Sequence, residues 1–145
     1  MNTIEELEKY LENECYSFRY LTIGKHHASE GIVIEKAKGE YCFAFSERGK
    51  KELIQSFRTE KELVDYALNE LAEDKWSRAH LVAWAWKESE IKEAEKELNR
   101  MNIEFIRNDV PNYSRDKHVY RIFVFGRDIL GLDAFRAKFM RQFFN

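Results

Sequence analysis

Apolar residues recur along the chain with changing period, and each period predicts an element. From Thr3 to Tyr16, Ile4, Leu7, Tyr10 or Leu11, and Glu14 or Cys15 follow the helical repeat. Thr3 is placed to cap this helix, with Glu6 at the reciprocal position of a capping box, and Glu5, Glu6 and Glu8 load its first turns with negative charge. "LTIGKHHASEG" breaks the period and reads as a loop, its opening residues alternatively a short strand. In "GIVIEKAKGEYCFAF" the period falls to two, the signature of a hairpin turning at Gly39. Tyr41, Phe43 and Phe45 then share one face, with Cys42 and Ala44 on the other. "SERG" predicts a second tight turn with Gly49 in the permissive position, and "KELIQSF" a polar third strand at a sheet edge. Thr59 caps the clearest helix, "TEKELVDYALNELAED", with Glu62 completing the box. Leu63, Ala67 and Leu71 form its apolar stripe, flanked by Val64 and Leu68.

The middle is less decisive. Residues 76–101 read as one helix or two, with Ser89 able to cap the second. Alanine content and charged flanks favour helix, and a buried strand over "HLVAWAW" is the alternative. "NIEFIRNDV" predicts a strand, "PNYSRD" a loop around the only proline, Pro111, and "KHVYRIFVFGRD" a central strand apolar on both faces. Leu132, Phe135, Phe139 and Phe143 repeat at helical spacing in a closing helix. The resulting expectation is a single α+β domain over residues 1–145. A single antiparallel or mixed sheet of about five strands would carry helices packed on it.

Composition narrows the picture. A chain of 145 residues buries about two-thirds of its extended surface and needs no cross-link for a core. Its two cysteines, Cys15 and Cys42, form no disulfide framework. The acidic N-terminus has neither the basic region nor the apolar run of a signal peptide, and no apolar stretch approaches a membrane span. A soluble cytoplasmic protein without a membrane partner is expected. The net charge of −2 divides into −5 over residues 1–100 and +3 over 101–145, which disfavours nucleic acid as a partner and suits a basic protein.

Catalytic patterns are weak. Histidine-based ribonuclease chemistry could draw on His26 or His27 with His118 and Lys25 or Lys117, but no spacing demands it. Cys15, Cys42, His26 and His80 lack the close pairs of a zinc site, so neither metal nor other cofactor is expected. No glycine-rich phosphate loop or nucleophile-elbow motif is present. Arg121, Arg127, Arg136, Lys138 and Arg141 lie near aromatic residues, but the phenylalanine stripe there suits a core better than a base-stacking platform.

The first half resembles small bacterial immunity proteins, the partners of polymorphic or contact-dependent growth inhibition toxins. The resemblance spans roughly residues 1–72 and rests on Gly39, Tyr41, Glu47, Arg48, Gly49, Phe57, Glu62 and Ala67: a strand pair, an ERG turn, a third strand, and a helix opening Thr-x-x-Glu. It implies a non-enzymatic, stoichiometric inhibitor of a cognate toxin domain, of a kind that often acts on nucleic acid and so carries a basic cleft. The alternatives are the ribonuclease or a regulatory interaction module. The expected contact is the acidic segment Glu88, Glu90, Glu93 and Glu97, with Trp84 or Trp86 as anchor and Glu47 and Arg48 as further candidates.

Overall fold

The computed structural model describes residues 1–140, so Arg141 and Phe143 lie outside the described residues. The fold is α+β, with four α-helices and two four-stranded sheets among the described residues. The expected single sheet of about five strands is therefore corrected to two sheets. They belong to two compact units, Met1–Arg78 and Ala79–Asn145.

In the first unit, α1 (Ile4–Asn13) opens on a complete capping box between Thr3 and Glu6. Three strands follow, β1 (Leu21–Ile23), β2 (Gly31–Ala37) and β3 (Glu40–Glu47); β4 (Lys50–Phe57) and α2 (Glu60–Glu73) complete the unit. The sheet order is β1-β2-β3-β4; β1 and β2 are parallel and the other pairs antiparallel. A parallel pair normally needs a connection of about a dozen residues or more. Here β1 is only three residues long, so residues 24–30 suffice to carry the chain back. That short return is fastened by the Thr22 hydroxyl, which accepts from the Ala28 N–H at 2.9 Å, and by mutual backbone bonds between Ile23 and His26.

Both hairpin turns have two central residues at positive φ: Lys38 (53°) and Gly39 (79°), then Arg48 (52°) and Gly49 (79°). That is the pattern of a type I′ turn, whose twist matches the strands it joins. Leu7 and Leu11 of α1 and Leu63, Val64, Ala67 and Leu71 of α2 bury against Leu21, Ile23, Ile34 and Phe43. Each fully buried large side chain contributes about 1.5–3 kcal/mol. Phe45 shares the alternation of Phe43 but is 39% exposed, because it lies towards the turn end of the hairpin, outside this core. The β4 strand is an edge, exposed along almost its whole length, as its polar sequence predicts.

Gly49 has nothing within 4 Å of where a Cβ would stand, so only its backbone conformation resists substitution. Replacing it by valine should cost about 1–2 kcal/mol, read as a lower urea midpoint, whereas asparagine should be nearly neutral. Equal stability of the valine variant and the parent would refute the turn assignment.

In the second unit, β5 (Ala79–Ala85) is the run for which helix is expected, and it is a strand. It pairs antiparallel with β8 (Lys117–Phe125), and Val82, Ala83, Trp84 and Ala85 are all buried. Pairing and burial outweigh alanine's helical propensity, a weak preference that tertiary context overrides. The helix α3 follows as a separate element (Glu88–Arg100); Lys87, not Ser89, stands at its cap position, and no side chain caps it. The predicted strand "NIEFIRNDV" divides into β6 (Phe105–Arg107) and the start of β7 (Val110–Ser114), both paired with β8. Pro111 thus lies in a strand rather than a loop, at an irregular stretch of the β7–β8 register, where a missing N–H is tolerated. The central strand β8 serves β5 along one side and β6 and β7 along the other. Helix α4 (Asp133–Phe139) buries Phe135 and Phe139 with Leu132, against Ile91, Ala94 and Leu98 of α3 and Ile122 and Val124 of β8.

Candidate protein-binding site

The periodicity of α3 fixes where its carboxylates stand. Ile91, Ala94 and Leu98 are fully buried, so Glu90, Glu93 and Glu97, each one position earlier, form the neighbouring stripe. That stripe borders α4, whose Lys138 ammonium bonds the Glu97 carboxylate at 2.6 Å. Glu88 stands apart, 53% exposed and 3.9 Å from Lys92. Glu95 is engaged by Arg107, which also pairs with Asp109 at 2.7 Å.

Trp84, at the end of β5, faces the same cleft. Trp84, Ile91 and Phe139 give it an apolar floor, and Glu90, Glu93 and Lys138 a charged rim; its volume is about 90 Å³. Trp84 is only 6% exposed. It stacks edge-to-face on Trp86 with ring centres 4.6 Å apart, and Tyr113 closes a three-ring cluster at 5.7 and 5.8 Å. The Lys117 ammonium lies 5.0 Å from the Trp86 ring. Trp84 is therefore a structural wall of the cleft. Tyr113, 56% exposed, is the ring presented to solvent.

Four of the expected contact residues, Trp84, Glu90, Glu93 and Glu97, thus meet around one edge of α3. Of these, Glu97 lies beside the cleft without lining it, and Glu88 and Trp86 do not line it either. Glu47 and Arg48 belong to the other unit, at the β3–β4 turn, on a shallow surface with Phe45, Lys50, Lys51 and Glu52. The sequence reading missed Tyr113, and it named Lys117 and Lys138 only for the ribonuclease and nucleic-acid alternatives, not for this contact. Lys138 lies 41 positions from Glu97, beyond any local signal.

The histidines divide between the units. His26 lies 2.8 Å from the Glu12 carboxylate and stacks on Phe18 at 3.7 Å, and its hydrogen bond, followed by that of Lys25, holds the Glu12 carboxyl below its ordinary range. His27 is exposed. In the second unit His118 stacks on Tyr120, and His80 pairs with Val124 near the other end of β8. Six residues of strand, about 20 Å, separate His118 from His80's partner Val124, so these two imidazoles do not share a reaction centre.

Comparison with known protein families, curated proteins and solved structures finds no match to this chain. No helix among the described residues is long and apolar enough to cross a membrane.

Proposed function

We propose that this protein is a bacterial immunity protein, a non-enzymatic inhibitor that binds and neutralises a cognate toxin domain in one-to-one stoichiometry within the cytoplasm. The observation that carries the reading is the convergence of Glu90, Glu93 and Trp84 on one cleft of the second unit. A basic toxin surface would meet ionised carboxylates at the rim. Steering by such a rim raises association rates, and the rigid aromatic wall beneath it supplies a fixed shape. The first unit adds support, because the segments carrying the immunity-protein resemblance fold there as two type I′ turns, an edge strand and a capped helix.

The test is to look for a toxin-like reading frame beside this gene and to co-express its domain with this chain. Rescue of growth, together with a one-to-one complex on gel filtration, is expected. Failure to protect against that toxin, or RNA cleavage by the purified chain that disappears in His118→Ala, would replace this reading with another.

A further inference from the structure

We propose that Glu8, Glu12 and His26 form a binding site for one divalent transition-metal ion of the zinc type, which clamps α1 to the loop between β1 and β2. The three donors come together by construction. Glu8 and Glu12 are one helical turn apart and project from the same face of α1. His26 arrives from the short β1–β2 return, where the Ile23 and His26 backbones exchange hydrogen bonds at 3.0 and 2.9 Å. One ligand atom from each residue lies within 4.8 Å of the other two. The imidazole Nε2 is 2.8 Å from Glu12 Oε2 and 3.9 Å from Glu8 Oε2. Zinc bonds of about 2.0–2.2 Å require donors about 3–3.5 Å apart. The observed separations bracket that range, so small side-chain adjustments would place an ion.

The donors are also held. Phe18 stacks almost parallel to the His26 ring at 12°. Gly24, at φ +56°, brings its backbone so close to Glu8 that a Cβ there would stand 2.3 Å from the carboxylate oxygen. The Lys25 N–H donates to that same oxygen at 2.8 Å.

The burial of the Glu8 carboxyl is the observation that calls for a cation. Its side chain is only 12% exposed, and among the described residues the nearest basic side-chain nitrogen is that of His26, at 3.9 Å. A carboxylate withdrawn from water this far needs an opposite charge or several hydrogen bonds, and one backbone N–H is a small share of that. The Lys25 ammonium instead sits 3.2 Å from Glu12, on a side chain 73% exposed that can swing aside. Two carboxylates and a neutral imidazole would balance a divalent ion. The nitrogen donor favours zinc and its transition-metal neighbours over magnesium or calcium, which prefer all-oxygen sites.

The experiment uses the full chain, stripped with chelator and dialysed, and zinc chloride as the probe. Calorimetry is expected to show one ion per chain, and the melting temperature to rise with free zinc, as linkage requires of an ion bound by the folded state. Magnesium at the same concentration should leave it unchanged. His26→Gln and Glu12→Gln should each weaken binding by about tenfold or more, and Lys25→Ala should strengthen it by removing a competing cation. In the unmutated chain the His26 ring-proton resonance should move on zinc addition while those of His27, His80 and His118 stay in place, which keeps the test valid should a variant fail to fold. An unmoved His26 resonance at excess zinc would overturn the proposal. So would binding that survives both substitutions, or that is lost in Cys15→Ser but kept in His26→Gln.

Discussion

Gly31→Ala should destabilise the protein more than any other single-methyl addition at a glycine turn. Gly31 opens β2 at φ +116°, a conformation that residues with a Cβ rarely adopt. Conformational strain alone costs about 1–3 kcal/mol. The added methyl would stand 2.1 Å from the Tyr20 carbonyl oxygen and 2.5 Å from its carbon, both backbone atoms. Tyr20 cannot simply withdraw. Its carbonyl accepts the Ile32 N–H at 2.9 Å, and the next residue, Leu21, is a core side chain paired with Ile32. Relieving the clash therefore breaks the parallel β1–β2 pairing and uncovers Leu21 and Ile23. A loss of about 3 kcal/mol or more is expected, a large share of the ~5–15 kcal/mol that holds a typical domain together. Gly39→Ala is the matched control: its φ is +79° with nothing within 4 Å, so it should cost about 1 kcal/mol. Urea denaturation of both variants decides the matter. Equal midpoints would show that the Tyr20 contact relaxes at no cost.

This glycine marks a boundary in what the sequence made legible. The caps at Thr3 and Thr59, the stripes of α1 and α2 and the two I′ turns depend on residues within a few positions of one another, and they stand where periodicity and turn chemistry put them. Features set by distant partners were not readable. The run over 79–85 becomes a strand because β8 supplies its hydrogen-bond ladder, and β8 begins more than thirty residues later. Pro111 signals a break, yet the open side of β8 accepts its segment as a strand. The stripe Glu90, Glu93, Glu97 follows from helical spacing, whereas the pairing of Glu97 with Lys138 does not. Likewise the one-turn spacing of Glu8 and Glu12 is plain in the sequence. Only the return loop reveals that His26 faces them.

The Lys138–Glu97 pair also shapes the binding test. Reversing Glu97 would set two ammonium groups against each other at a 2.6 Å contact and disturb the α3–α4 packing, so a loss of binding would be ambiguous. Glu90→Lys combined with Glu93→Lys changes the rim of the cleft by four charges and leaves that pair intact. Glu90 stands in the first turn of α3, where a cation opposes the helix dipole at a cost of about 0.3–1 kcal/mol. The variant should therefore fold, with a slightly lower melting temperature. Electrostatic steering accelerates association by roughly 10- to 1000-fold in favourable cases. Association of the double variant with the proposed toxin partner should thus slow by about tenfold or more at low salt. The gap from the parent should close as the screening length falls towards about 3 Å near 1 M salt. Glu88→Lys, beside Lys92 and outside the cleft, should change the rate little. Stopped-flow association across a salt series separates the cases. A parallel loss in both proteins at every salt concentration would point to altered packing. Unchanged rates in the double variant would move the contact away from the α3 edge, with the Glu47–Arg48 turn next to be tested.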